Sequence, residues 1–311
     1  MYLFKNQESF EELLNEVVEV KNITLPILVK DYFVSLVLGQ ISKETEGVVF
    51  KGGTALSKGF KIIDRFSEDI DLGYNIGSYE LPSQGQRKRF NKSIKETIEA
   101  TGIAIRNTDS FRSRRQHNKL LVQMPETAKA SFLKEDLQVE IYLFNISYPA
   151  VELEISNYIY DFLVENGTPE VADEFVELKP FKMQVQSLER TFIDKLFAIS
   201  DQYIGNRAKR NSRHIFDLYE IAQSGLIDIS SQEFANLFCE VKEQLSDDLE
   251  WNPSAAPGFD ILGNIKDLLE NDFFEEDYEY IQPELAIENN LAYSVVRDSL
   301  LELIAKINIK E

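Results

Sequence analysis

The chain has 311 residues, 43% of them apolar and 28% charged, which supplies hydrocarbon for one large core or two ordinary ones and excludes wholesale disorder. Its 33 Lys and Arg stand against 53 Asp and Glu, a net charge of −20. That balance argues against a protein that coats nucleic acid or anionic membrane through its overall field, so any contact with a polyanion must be local.

From Ser9 to Val20 the apolar residues Phe10, Leu13, Leu14, Val17 and Val18 recur at intervals of three and four, the mark of an amphipathic helix, and Leu25–Ile41 reads as a second, more buried one. Gly47-Val-Val-Phe-Lys-Gly-Gly-Thr follows: a short β-branched run ends in two glycines, and Thr54 can cap a helix over Ala55–Ile62. Asp69-Ile-Asp-Leu-Gly-Tyr alternates polar and apolar, which turns both carboxylates of a strand to one face. Gln86–Ala100 predicts a helix with Phe90, Ile94 and Ile98 inside, and strands follow at Lys119–Met124 and Leu137–Phe144. After about Lys179 helices take over, at Ser187–Tyr203, Arg213–Ala222, Ser231–Ser246 and a long Glu284–Ile307 with a stripe of Tyr293, Val296, Leu300, Leu303 and Ile307. The reading is an α/β (α+β) core with a small mixed sheet, residues 1–180, followed by a mainly α-helical domain, residues 181–311. Residues 241–290 carry 14 acidic residues against Lys242 and Lys266, a net of −12.

Cys239 is the lone cysteine, which excludes a disulfide scaffold and fits a reducing cytoplasm. His117 and His214 cannot build a zinc site with it on any usual spacing. The first residues lack a basic segment followed by an apolar core, and no stretch approaches 18 uninterrupted apolar residues. A soluble, cytoplasmic protein with no membrane partner is expected.

Acid-x-acid pairs are common in so acidic a chain, and Val151-Glu152-Leu-Glu154-Ile shows the same alternation as Asp69-Ile-Asp71. What distinguishes Asp69 and Asp71 is the Gly52-Gly53-Thr54 turn sixteen residues upstream. A strand, a turn and a short helix can fold those glycines back beside the carboxylates. Backbone amides of Gly52, Gly53 and Thr54 can then hold the phosphates of a nucleoside triphosphate. Two carboxylates suit the Mg²⁺, or Mn²⁺, that such a substrate brings, in a two-ion arrangement in which one ion activates an attacking hydroxyl and the other steadies departing pyrophosphate. Glu140, between Val139 and Ile141 on a strand, is the candidate third metal ligand. Lys195 lies on an apolar stripe with Leu188, Phe192 and Ile199, where either its ammonium has a partner such as a triphosphate or its stem snorkels to water. Lys58 can reach a γ-phosphate or lie on the surface. Residues 87–119 hold ten Lys and Arg against three acids, and Arg207, Lys209, Arg210 and Arg213 form a second cluster; either can neutralise phosphates of an RNA acceptor, or simply be a solvated face.

Lys51-Gly-Gly-Thr-Ala-Leu-Ser-Lys58 with Arg65-Phe-Ser-Glu-Asp-Ile-Asp-Leu72 resembles the AbiEii/AbiGii toxin family of nucleotidyltransferases, within the DNA polymerase β-like superfamily. Glu189-Arg-Thr-Phe-Ile-Asp-Lys195 and Arg213-His-Ile-Phe-Asp217-Leu-Tyr are similar to a third and a fourth motif of that family and its MenT-type relatives. The resemblance implies an enzyme that moves a nucleoside monophosphate from an NTP to an acceptor hydroxyl, with Asp69, Asp71, Lys195 and Asp217 as working residues; the role of Asp217, beside the metal or as orienter of the lysine, rests on it alone. It further implies RNA, at the 3′ end of tRNA, as acceptor, translation arrest as outcome, and a separately encoded antitoxin. From the residues themselves, a small-molecule nucleotidyltransferase of the antibiotic-modifying sort and a non-catalytic nucleotide- or partner-binding module remain open.

Overall fold

The computed structural model describes residues 2–63, 67, 69–77, 80–130, 133–285 (backbone alone for 282–285) and 291–309. Arg65, Phe66 and Glu68 of the second motif lie outside the described residues. The chain divides into two compact units, Met1–Phe60 with Ser67–Val185 and Lys61–Phe66 with Gln186–Glu311.

In the first unit α1, Gln7–Lys21, opens at Asn6, whose side chain accepts from the Ser9 amide, and closes at Asn22 in the left-handed region. Helix α2, Leu25–Glu44, is apolar nearly all round and forms the centre of the core, with Leu28, Tyr32, Leu36 and Val37 almost wholly buried. It is long and apolar enough to cross a membrane by composition, yet 72% of that stretch is packed inside the protein, as a core helix requires. Strand β1, Val48–Lys51, leads into α3, Gly52–Ala55, which continues as a π turn over Leu56–Phe60. Then come β2, Ile70–Tyr74; α4, Gln84–Ala100, opened by a Ser83–Gln86 capping box; β3, His117–Val122; β4, Leu137–Tyr142; β5, Ala150–Ile155; α5, Tyr158–Glu165; and β6, Phe181–Gln186.

The six strands form one mixed sheet in the order β3-β4-β2-β1-β6-β5. β2 runs antiparallel to β1 and parallel to β4, and β1 runs parallel to β6. The period of two sorts each strand: Leu137, Val139 and Ile141 of β4 and Ile70 and Leu72 of β2 are buried, in one cluster with α2 residues and with Phe90, Ile94 and Ile98 of α4. Asp71, Glu140 and Tyr142 point to the opposite face.

The second unit is helical: α6, Leu188–Ile204; α7, Arg213–Gln223; α8, Gln232–Leu245; α9, Ile261–Glu270; α10, Glu275–Leu285; and α11, Tyr293–Ile304. Ser187, Ser231 and Asp260 cap α6, α8 and α9. Phe192, Phe197, Phe234 and Phe238 are fully buried, meeting as Phe192–Phe234 and Phe197–Phe238 ring pairs 6.0 and 5.2 Å apart.

The sequence reading names no element for β5, α5 or α9, and it departs from the structure elsewhere as well. The long helix expected over Glu284–Ile307 is instead the end of α10 and a separate α11, because the apolar stripe begins only at Tyr293 and Ala292 is extended at φ −65°, ψ 143°; residues 286–290 of that expectation lie outside the described residues. Strand β6 forms where the strand signal fades, because its pairing with β1 buries Met183 and Val185. The helix after the glycines starts at Gly52 rather than Ala55, so Thr54 lies inside it and is not its cap.

Candidate active site

Four strands place one residue each in a single row across the exposed face of the first unit's sheet. Lys119 of β3 pairs in register with Glu140 of β4, Glu140 with Asp71 of β2, and Asp71 with Lys51 of β1. Two carboxylates on adjacent strands thus lie between two lysines. The Tyr142 ring, on the same face of β4, has the Lys51 ammonium 5.2 Å from its centre. Burial first, and then the negative charges of Asp71, Glu140 and Asp69, push the Tyr142 hydroxyl well above the usual phenol range. All three acids therefore act on one point of this face.

The glycine corner adjoins the row. Gly52 has φ +78°, a conformation L side chains rarely adopt, and a methyl group built on it would collide with Oδ2 of Asp71. Glycine is demanded twice over, by the backbone and by the carboxylate packed against it. Thr54 locks the corner in place: its hydroxyl, 1% exposed, donates to the Asp69 carbonyl at 2.5 Å and meets Ser67 Oγ at 2.9 Å. The first motif and the entry to the second are thereby bound to each other by a side chain, while the amides that open α3 are the groups available to an anion.

Asp69 precedes β2. Its Oδ2 accepts from the Lys134 ammonium, and its Oδ1 is buried without a hydrogen-bond partner among the described residues. An ionised oxygen in that position is costly unless something positive meets it. Among the described residues no three His, Cys, Asp or Glu side chains converge to hold a metal unaided. Mg²⁺ does not require three, since it commonly takes one or two carboxylates and completes its shell with phosphate oxygens and water. The orphaned oxygen of Asp69 and the carboxylate of Asp71 beside the glycines fit such an ion.

Glu140 stands beside Asp71, but its oxygens are occupied: Oε1 accepts from Lys119 at 2.7 Å, Oε2 accepts from the Tyr142 hydroxyl, and His117 Nε2 is 3.6 Å away. Burial pushes the Glu140 carboxyl up, yet His117, Lys119 and Tyr142 outweigh it and hold the group at about 2. The candidate third metal ligand is thus already paired with Lys119 and Tyr142. Lys58 is also placed otherwise than expected. Its ammonium is 2.5 Å from Asp31 Oδ1 of α2 and 3.1 Å from the Ser156 carbonyl, with the side chain 10% exposed. It is neither on the surface nor turned to the glycine corner, because Asp31, buried in an apolar helix, needs a counter-charge more than solvent needs the lysine.

In the second unit Lys195 of α6 and Asp217 of α7 form a buried ion pair at 2.7 Å, and His214 Nδ1 is 3.5 Å from the same ammonium. The partner that the apolar setting of Lys195 requires includes Asp217, one turn of helix from His214. Sequence reasoning missed Lys134 and Tyr142. The alternation of β4 could have found Tyr142, two residues from Glu140 on one face; nothing local marks Lys134.

The model of the nucleotidyl transferase AbiEii toxin family, of type IV toxin–antitoxin systems, matches residues 36–289. Among solved structures, MenT4, a nucleotidyltransferase toxin from Mycobacterium tuberculosis H37Rv, superposes with a TM-score of 0.57 at 18% identity, over 91% of this chain and 84% of that one. The likeness shows a shared fold. No curated protein sequence matches.

Proposed function

The chain belongs to the AbiEii family of nucleotidyltransferase toxins, and on that premise we propose that it transfers a nucleoside monophosphate from a Mg²⁺-bound NTP to a hydroxyl of RNA, at the 3′ end of tRNA, in the cytoplasm. The observation that carries the reading is the collision that keeps Gly52 a glycine: Asp71 occupies the space beside the turn whose amides we assign to the phosphates. Asp69 and Asp71 would hold the metal. Bound there, Mg²⁺ supplies charge neutralisation for the phosphates and favours ionisation of the attacking hydroxyl. The amides of Gly52 and Gly53 bind the phosphate tail, and Lys134 holds Asp69 in place. The acceptor oxygen forms a bond to the α-phosphorus, the bridge to the β-phosphate breaks, the hydroxyl's proton leaves to water, and pyrophosphate departs. Lys195, paired with Asp217 in the second unit, is the lysine of the family's third motif, and Lys195→Ala tests by the rate of the same reaction whether transfer needs it.

The test is incubation of the purified protein with Mg²⁺, α-labelled NTPs and total tRNA. Wild type is expected to label RNA. Asp71→Asn is expected to lower the rate by about 10²- to 10³-fold, the scale of losing one preorganised electrostatic group, and chelation of Mg²⁺ to abolish it. Unlabelled RNA, or an unimpaired Asp71→Asn variant, would overturn the proposal.

A further inference from the structure

The first unit carries a second built feature, on the loop that enters β3. Arg112, Arg114 and Arg115 are all exposed there, and among the described residues no carboxylate pairs with any of the three; the Arg112 guanidinium donates to the carbonyls of Asp109 and Phe111. Four of the other seven cations of the 87–119 segment behave differently: Lys92, Lys95, Arg106 and Lys119 each meet an acid within 3.2 Å.

Two buried asparagines hold this loop in shape. Asn91, fully buried on α4, donates to the carbonyls of Ser113 and Arg115 at 3.0 and 3.1 Å. Asn118, 4% exposed, accepts from the Arg112 amide at 3.2 Å, donates to the Arg112 carbonyl at 3.1 Å, and donates to Asn91 Oδ1 at 3.0 Å. Buried side-chain amides are costly unless fully bonded. Here a pair of them is committed to fixing a surface loop that carries three guanidiniums with no carboxylate partner among the described residues.

An aromatic shelf adjoins the loop. His117, two residues on, has its ring 5.1 Å from that of Tyr142, and Tyr142 meets Phe144 edge-on at 5.8 Å. Phe144 is 41% exposed, which leaves part of its ring open to a planar partner. β3 is the edge strand of the sheet, bridged along its outer side by Ile105 opposite Val122. The same Tyr142 hydroxyl donates to Glu140, the neighbour of Asp71 in the row.

We propose that this loop and shelf are the seat of a single-stranded segment of the polynucleotide acceptor, phosphates on Arg112, Arg114 and Arg115 and a base stacked on Phe144 and His117, with its end directed along Tyr142 to Asp71. The inference rests on the RNA-acceptor reading above. Positive charge beside an exposed aromatic ring is what a single strand recognises, since every base has a π-face and every linkage a phosphate. An acidic peptide would use the arginines and leave the ring idle.

The experiment is direct binding of a fluorescently labelled single-stranded RNA oligonucleotide by the full chain, as wild type, as the triple variant Arg112→Gln/Arg114→Gln/Arg115→Gln, and as Phe144→Ala, together with each variant's affinity for NTP and its transfer kinetics. The triple variant is expected to bind RNA at least about tenfold more weakly and to lower the slope of log K against log salt by about two, at roughly 0.7 for each phosphate no longer neutralised. Phe144→Ala is expected to weaken RNA binding by about fivefold or more at unchanged salt slope. Both should raise KM for RNA and leave NTP affinity unchanged. RNA binding within twofold of wild type in both variants would overturn the surface while leaving the transferase reading intact. Binding that depends on the arginines, with no transfer to any RNA, would support the surface and overturn the acceptor. Arginine-dependent capture of polyglutamate, with no binding of RNA, would overturn the surface as a polynucleotide site.

Discussion

Strands β2 and β5 show the same acid-x-acid alternation and meet opposite fates. In β2 Asp71 lies in an interior strand, between β1 and β4, with a glycine corner packed on its carboxylate and another acid in register beside it. In β5 Glu152 and Glu154 lie on an edge strand and face solvent, Glu152 pairing with Lys182 at 3.2 Å while 53% exposed. A surface pair of that kind contributes little to stability. The working side of β5 is its other face: Leu153 and Ile155 pack where a Cβ on Gly59 would sit, 3.3 and 3.5 Å away, so this strand supports the turn that follows the glycine motif. Alternation thus says that two acids share a face. Only the neighbours decide whether that face is a site or a rim.

The sharpest cut through this comparison is to exchange the acids of each strand for amides. Asp69→Asn/Asp71→Asn is expected to abolish nucleotide transfer in the labelled-NTP assay, and Glu152→Gln/Glu154→Gln to leave the rate within about twofold, as surface substitutions usually do. Equal loss in both would mean that the two strands are not functionally distinct.

Next in size is the strut between the regions. Lys58 follows the glycine motif and reaches both Asp31 and the Ser156 carbonyl just beyond β5. Lys58→Met leaves Asp31 buried without its ammonium, a change that typically costs about 3–5 kcal/mol. Urea unfolding should show that loss. An NTP affinity abolished with stability unchanged would instead return Lys58 to the phosphates.

The smallest expected effect is a pH dependence at Glu140, the carboxylate that β2 gains as a neighbour and β5 does not. Its folded value of about 2 lies below the ordinary 4.5. The unfolded chain therefore binds the proton more readily, and the stabilisation is fully present above about pH 5 and lost as pH falls through the folded value. Glu140→Gln should flatten the stability profile between about pH 5 and 2, read as thermal midpoints in a pH series. A profile parallel to wild type would show that Lys119 and Tyr142 do not hold the carboxylate ionised.

How much was legible in the chain follows from the range of each signal. The glycine turn, the alternation through Asp69 and Asp71, the helices α1, α2, α4, α6 and α8 and the stripe carrying Lys195 are all written within a few residues of themselves, because backbone conformation and side-chain direction repeat at short periods. Lys134 could not be found that way: it meets Asp69 across 65 residues of sequence. Lys58 misled for the same reason, since its partner Asp31 sits in a helix whose apolar pattern predicts burial but not what a buried carboxylate will recruit.

The sequence by itself determined that a glycine turn precedes a pair of aspartates in one alternating segment, and that a lysine further on sits among apolar residues. Tertiary structure alone decided that β2 lies between β1 and β4, that Glu140 comes beside Asp71 already claimed by Lys119 and Tyr142, and that one oxygen of Asp69 is buried without a hydrogen-bond partner among the described residues. The reason is that side-chain direction is a local property of the backbone. The company a charge keeps, and with it the ionisation and hydration on which chemistry depends, is set by whichever distant segment packing brings against it.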